Sequence, residues 1–169
     1  MKSRLQSIQR IDLDAQPIDE KILESIVNKT DGRIQVTKTE EWPYSVHGVV
    51  AMTFNGHTAW GTGTLIGPNI VLTAGHNLYD HTHRCVPDRK SIQFLPAING
   101  QVLPFGAVEV EQYFISPEFV KEDNQDFGLL VLKEPIGDVT GYFGLACLEE
   151  NELKTKKINV TGYPGDKVA

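Results

Sequence analysis

The sequence has no long hydrophobic run, and it carries fewer basic than acidic side chains. No stretch approaches the roughly 18 consecutive apolar residues of a membrane-spanning helix, so we expect no membrane partner. There are 16 Lys and Arg residues against 22 Asp and Glu residues, which gives a net charge of −6 over 169 residues. Because nonspecific nucleic-acid binding needs clustered positive charge, we also expect no nucleic-acid partner.

The first ten residues lack the apolar segment of a secretory signal peptide, although Lys2, Arg4 and Arg10 supply positive charge. Three interpretations stay open: the protein remains inside the cell, its true start lies upstream, or it is exported by an unconventional route. The two cysteines, Cys85 and Cys147, do not settle the compartment, because they could pair or stay reduced.

Residues 1–32 differ from the rest of the chain and form an N-terminal extension. Apolar residues between Ile18 and Val27 recur at helical spacing, which predicts a short amphipathic helix that ends near Asn28. This helix could pack on the body of the protein or belong to a removable pro-segment. In the second case we expect the cut between Ser25 and Arg33.

From residue 33 the pattern favours short strands separated by turns, consistent with 15 glycines and nine prolines. The pair Asn55-Gly56 predicts a tight hairpin, because both residues tolerate positive φ. The predicted strands are Ser45–Phe54, Thr58–Ile66, Ile70–Thr73, Ile92–Leu95, Val108–Ile115, Phe127–Leu132 and Ile158–Gly162. Such a series predicts an all-β barrel or sandwich.

Two residues at strand ends could carry chemistry. The third predicted strand runs into the small residues Ala74 and Gly75 and then His76. A histidine on a rigid strand end suits a general base, which must reach a proton about 3 Å away. Asp126 opens an apolar strand, where a carboxylate is costly unless it is hydrogen-bonded. A histidine Nδ1–H would satisfy the Asp126 carboxylate and leave Nε2 as the acceptor. The structural alternatives are a capped histidine at the strand end for His76 and a turn residue that caps the strand for Asp126.

A metal site is a further alternative, because His76, His81, His83 and Cys85 lie within ten residues. Zinc accepts such ligands, but this spacing does not match a familiar closed site. His47 and His57 are interpreted as surface or hairpin residues.

Four segments resemble the trypsin/chymotrypsin-like serine endopeptidases, in particular the V8-like glutamyl endopeptidases of bacteria. They are Thr30-Asp31-Gly32-Arg33, Gly63-Thr64-Leu65-Ile66 with the strand leading to Thr73-Ala74-Gly75-His76, Asp126-Phe127-Gly128-Leu129-Leu130, and Val160-Thr161-Gly162-Tyr163-Pro164-Gly165-Asp166-Lys167. Together they span about residues 30–169. The order of histidine before aspartate also suits this family, and not the subtilisins or the α/β-hydrolases.

The resemblance implies an all-β fold with a chymotrypsin-like antiparallel barrel over residues 33–135. A crossover and the start of a truncated second barrel would follow over 136–169. His76 would be the general base and Asp126 its orienting partner. The implied substrates are polypeptides, with no metal or organic cofactor, and a preference for cutting after glutamate rests on the resemblance alone. The family also implies secretion, although no signal peptide is visible.

The nucleophile of this family is a serine in a Gly-Asp/Asn-Ser-Gly turn, whose backbone N–H groups also build the oxyanion hole. None of the serines stands in such a turn; they are Ser3, Ser7, Ser25, Ser45, Ser91 and Ser116. We therefore expect the front part of a serine endopeptidase that is inactive by itself. The alternative is an inactive half-protease relic or a binding module. Its unpaired strand at Ile158 and Val160 could then mediate self-association.

The cysteines also depart from the family pattern. Some members carry a disulfide across the histidine loop, but the corresponding positions here are Gly61 and Asn77. The resemblance therefore implies that this bridge is absent. A bond between Cys85 and Cys147 would link the first barrel to the crossover.

Overall fold

A computed structural model describes residues 31–122 and 124–166. The strands in this part of the chain are β1 His47–Phe54, β2 His57–Gly67, β3 Ile70–Thr73, β4 Gln93–Pro96, β5 Val108–Ile115 and β6 Gly128–Leu132. Its short helices are α1 Pro117–Glu122, α2 Gly137–Thr140 and α3 Glu150–Leu153. Three 3₁₀ turns cover Tyr44–Val46, Gly75–Asn77 and Arg89–Ser91. None of the helices in these ranges has the length and hydrophobicity of a membrane span.

The six strands form a closed antiparallel barrel in the order β1-β2-β3-β6-β5-β4, with β4 pairing back onto β1. The hairpin between β1 and β2 turns at Asn55 and Gly56, whose φ angles are 47° and 87°. Positive φ at both positions matches the twist of the strands that flank a two-residue turn. The all-β antiparallel barrel that the sequence analysis expected is confirmed.

The core fills the barrel with side chains from its strands. On β6 every second residue is buried, whereas β1 is buried at all positions except Thr53 and contributes to two hydrophobic clusters. Phe94 lies at the centre of the core and is fully buried. Its ring fits because Gly48 and Gly63 face it; a Cβ on Gly48 would lie 2.7 Å from the Phe94 ring. Burial of such a side chain contributes roughly 1.5–3 kcal/mol, so the glycines and the ring together stabilise this part of the barrel.

The sequence located six of the predicted strands to within two residues, but the seventh prediction is wrong. Residues 158–162 lie outside any strand, and the side chains of Ile158 and Val160 are 79% and 93% exposed. An extended segment becomes a strand only when another chain segment pairs with it, and no ladder includes these residues. The predicted helix near residues 18–28 lies outside the described residues, and the divisions at residues 32 and 135 stay predictions.

Of the two interpretations of His47, surface or hairpin residue, the first is wrong, because His47 is buried in the hairpin of β1 and β2, where it pairs with Thr64. His57 is exposed in the same hairpin. His47 is only 9% exposed, and its Nδ1 lies 2.9 Å from the hydroxyl of Thr64 on the neighbouring strand. Phe143 packs edge-on against its ring. Burial lowers the pKa of this histidine, because the charged form loses its hydration.

Candidate active site

The ring of His76 is carried by a 3₁₀ turn that directly follows β3. Backbone hydrogen bonds from Leu78 and Tyr79 to the carbonyl of Gly75 hold the turn. Gly75 is buried, and a Cβ at this position would lie 2.8 Å from the ring of Phe119 in α1. The small residue predicted to allow a tight turn therefore also allows close approach to a helix.

Asp126 lies in the loop between α1 and β6, which local hydrogen bonds hold in place. The N–H of Phe127 donates to the carbonyl of Gln125, which has a φ of 55°. The N–H of Ser116 in turn donates to the carbonyl of Phe127. Backbone fixed on both sides of Asp126 limits the positions that its carboxylate can take.

The structure brings His76 and Asp126 together, as the sequence analysis expected. The two oxygens of Asp126 accept from the backbone N–H of His76 at 2.8 Å and from its Nδ1 at 2.7 Å. Since an ionised carboxylate only accepts hydrogen bonds, Nδ1 must carry the proton and the neutral ring keeps its lone pair on Nε2. The side chains remain 42% and 43% exposed, so the ring is open to a reacting group.

Asn77, the next residue, holds the other side of the turn, and the sequence analysis did not single it out for this role. Its side-chain amide donates at 2.9 Å to the hydroxyl of Thr73, which donates at 2.8 Å to the carbonyl of Thr62. A Cβ on Gly61 would overlap the Asn77 amide group. Positions 61 and 77 thus do meet in space, and a packed amide occupies the place where the family resemblance suggested a missing disulfide.

The residues of the alternative metal site are not brought together. Within residues 31–122 and 124–166, no three His, Cys, Asp or Glu side chains are grouped so that they could hold a metal ion. The ring of His81 packs edge-on against Tyr79 and Phe119. His83 Nδ1 lies 2.6 Å from a carboxylate oxygen of Asp80.

The two cysteines are not bonded to each other in the structure. Cys85 is half-buried beside the barrel core and accepts a long hydrogen bond from the Asn55 amide at 3.5 Å. Cys147 is exposed beyond the barrel. Of the two states left open by the sequence, the structure has the unpaired thiols.

Two of the four family-like segments, distant in sequence, meet in space. The guanidinium of Arg33 contacts Asp31 at 2.9 Å and Asp166 at 2.6 Å. The hydrogen bonds that the guanidinium donates to the two carboxylates raise the pKa of this already basic group. The ion pairs therefore join the beginning and the end of the described part of the chain.

The segment around Tyr163 lies against β2 close to the histidine turn. The N–H of Tyr163 donates to the Thr62 hydroxyl at 2.9 Å, and Gly162 approaches the same side chain. Burial beside Trp60 raises the pKa of Tyr163 to about 12. Thr62 therefore accepts two hydrogen bonds: its hydroxyl accepts from the Tyr163 N–H, and its carbonyl accepts from the Thr73 hydroxyl.

Comparison with known proteins identifies the class of protein that carries this barrel and this histidine–aspartate pair. The family model described as trypsin matches residues 33–168, so the chain belongs to the trypsin family. The resemblance drawn from the four segments is confirmed.

Two curated relatives are similar to this chain over more than four fifths of its length. The glutamyl endopeptidase of Bacillus licheniformis is 34% identical over 141 residues, which cover 83% of this chain and 42% of that protein. A Bacillus subtilis protein named extracellular metalloprotease is 28% identical over 142 residues, 82% of this chain and 44% of that one. The chain spans less than half the length of either relative.

Solved structures agree with the fold. A Glu endopeptidase determined in complex with MPD has a TM-score of 0.58 and 27% identity, covering 69% of this chain and 53% of that one. The thermostable serine protease AL20, from an extremophilic microorganism, has a TM-score of 0.54. It is 20% identical and covers 60% of this chain and 51% of that one, which shows likeness of fold alone.

Proposed function

We propose that this protein is a serine-type endopeptidase in which His76 is the general base and Asp126 is the residue that orients it. The observation that carries the proposal is the pair of hydrogen bonds from His76 to the two oxygens of Asp126. One bond holds the backbone of the turn and the other holds the ring. Together they leave Nε2 as the proton acceptor at an exposed edge of the barrel.

The nucleophile would be a serine outside the 169 residues of this sequence. The serines of the described ranges have other partners: Ser45 donates to the Thr140 carbonyl, Ser91 to the Asp88 carbonyl, and Ser116 to Glu118. In the complete site, Nε2 of His76 takes the serine proton as the oxygen attacks the peptide carbonyl. The imidazolium, stabilised by Asp126, then protonates the leaving amine.

The substrates would be extended polypeptides, and we propose cleavage after glutamate. This preference is supported by the 34% identity to the glutamyl endopeptidase of Bacillus licheniformis. The preference depends on that relative, whereas the acid–base role depends on the geometry of His76 and Asp126.

The test uses the whole product of the native gene. We expect it to hydrolyse a fluorogenic peptide containing glutamate and to react with a fluorophosphonate, which labels activated serines. His76→Ala should lower kcat between about 10⁴- and 10⁶-fold, because the members of a triad act as a unit. The matched control is His57→Ala, an exposed residue at the start of β2. A folded product that neither cleaves peptides nor binds the probe would contradict the proposal.

That outcome would favour the second candidate, an inactive relic or binding module. The observation behind it is that no serine of the sequence stands in the nucleophile turn. The exposed side chains of Ile158 and Val160 would then serve self-association. Sedimentation should show a dimer or larger species that Val160→Asp dissociates, whereas a monomer at all concentrations would argue against this surface.

A further inference from the structure

We infer that Asn77 is a positioning residue for His76, and this inference rests on the proposed function. A general base must keep its nitrogen within hydrogen-bond reach of the proton it removes, so the turn that carries it must be held from more than one side. Asp126 holds the turn from the loop before β6. Asn77 holds it from β2 and β3.

A chain of two hydrogen bonds connects the turn to the barrel behind it. The Asn77 amide donates to the Thr73 hydroxyl, and that hydroxyl donates to the carbonyl of Thr62. The hydroxyl of Thr73 thus acts as acceptor and donor together. The first hydrogen bond joins the turn to the end of β3, and the second joins the end of β3 to the middle of β2.

The amide group of Asn77 is closely packed against β2. Asn77 is 5% exposed, and Gly61 on β2 provides the space that its amide occupies. Any side chain at position 61 would displace the amide. A buried amide that is both hydrogen-bonded and closely packed has few alternative positions, so it limits how the neighbouring His76 can move.

The Asn77 contacts would prevent the turn that carries His76 from moving relative to β3. Without the Asn77 amide, the turn keeps its bonds to Asp126 but loses its side-chain attachment to β3. His76 and Asp126 could then shift together relative to the serine that they must serve. A misplacement of about 1 Å in a reacting group can cost on the order of 10²-fold in rate.

The experiment measures kinetics of the native gene product with Asn77→Ala, Thr73→Val and Thr73→Ser. We expect the first two to lower kcat about 10- to 100-fold with KM changed less than about twofold, because ground-state binding is unaffected. Thr73→Ser keeps the hydroxyl and should retain most of the activity. The double variant Asn77→Ala/Thr73→Val should be no worse than Thr73→Val alone, since loss of the Thr73 hydroxyl already removes the hydrogen bond that Asn77→Ala removes.

The matched control is Asn99→Ala, which also removes one side-chain amide hydrogen bond, here to the carbonyl of Thr37. A spectroscopic readout accompanies the kinetics: the His76 Nδ1–H proton should give a downfield NMR resonance. We expect exchange to broaden this resonance in Asn77→Ala and Thr73→Val but not in Asn99→Ala or Thr73→Ser.

The outcomes separate the two proposals. If the wild-type protein cleaves no peptide, the proposed function fails and the resonance alone decides whether Asn77 positions the imidazole. An unchanged kcat and an unchanged resonance in folded Asn77→Ala would overturn the positioning role while leaving the peptidase intact. If Asn77→Ala does not fold, the comparison of Thr73→Val with Thr73→Ser decides the same question.

Discussion

The described part of the chain contains two histidine–aspartate pairs with nearly the same local chemistry. In one, His76 Nδ1 lies 2.7 Å from Asp126; in the other, His83 Nδ1 lies 2.6 Å from Asp80. In both pairs the carboxylate also accepts the backbone N–H of its histidine. The hydrogen bonds alone do not distinguish a candidate active site from a surface loop.

The two pairs differ in their mounting, by which we mean the elements of the fold that hold the histidine and the aspartate. His83 and Asp80 are three residues apart in one loop, and the His83 side chain is 69% exposed. His76 and Asp126 are 50 residues apart and are brought together by the pairing of β3 with β6. A pair held by two elements of a closed barrel has a defined position relative to the rest of the protein. Such a position is what acid–base catalysis needs.

The largest expected difference between the pairs is in catalysis. Asp126→Asn would place an amide N–H group opposite Nδ1, which favours the tautomer with the proton on Nε2. That tautomer cannot accept the serine proton, so we expect kcat of the native gene product to fall about 10⁴-fold. Steady-state hydrolysis of the fluorogenic peptide measures this loss.

Asp80→Asn is the matched control, because it makes the same chemical change in the other pair. We expect activity within about twofold of wild type, as for surface substitutions that touch no reacting group. Equal losses in the two variants would mean that the His83 pair also serves the reaction and that the contrast in mounting has no functional meaning.

A smaller effect is expected from Gly75→Ala, which tests the mounting itself. The new Cβ would lie 2.8 Å from the Phe119 ring and 3.1 Å from an oxygen of Asp126, so the helix or the carboxylate must shift. We expect about 10²-fold lower kcat and roughly 1–3 kcal/mol less stability. Gly144→Ala is the control, because a Cβ there meets nothing within 4 Å. Wild-type kinetics in Gly75→Ala would show that the pair tolerates displacement.

The strands and the His76–Asp126 pair could be predicted because both leave local patterns in the amino-acid sequence. Alternating side chains predict a strand, and a strand followed by Ala74 and Gly75 predicts a projecting histidine. Burial from neighbours is not encoded in such local patterns. His47 was interpreted as a surface or hairpin residue, and only the fold shows that Thr64 and Phe143 enclose its ring. Val160 was predicted in a strand, although no described segment pairs with it.

The role of Asn77 could not be predicted from local sequence patterns for a different reason. Its role depends on Gly61, 16 positions earlier, and on the hydroxyl of Thr73. In the sequence, only the family resemblance relates positions 61 and 77 to each other. Only the fold reveals that an absent side chain at one position and an amide at the other form one packed contact.

His47 differs from both histidine–aspartate pairs, because its ring is hydrogen-bonded to a neutral hydroxyl instead of a carboxylate. Burial lowers its pKa in the folded state, so the unfolded state binds the proton more readily. Stability should be complete above the unfolded pKa of about 6.5 and decrease as the pH falls from there to the folded pKa. Urea unfolding between pH 7.5 and 5 should show less decline in His47→Gln. A parallel decline in that variant would exclude His47 as the cause, and the exposed His57→Gln should behave as wild type.

The smallest effect is expected at the His83 pair, and it has the same sign as at His47, because stability again decreases as the pH falls, here in a more acidic range. Partial burial tends to raise the pKa of Asp80, but the hydrogen bonds from His83 and Thr82 outweigh it and leave the pKa below its ordinary value. The stability from this carboxylate is therefore present above about pH 3.9 and is lost as the pH falls through the folded pKa. We expect Asp80→Asn to cost less than about 1 kcal/mol at neutral pH and to match wild type in strong acid. A cost that stayed constant across this range would mean that Asp80 stabilises the loop through its shape and backbone hydrogen bonds, with no contribution from its charge.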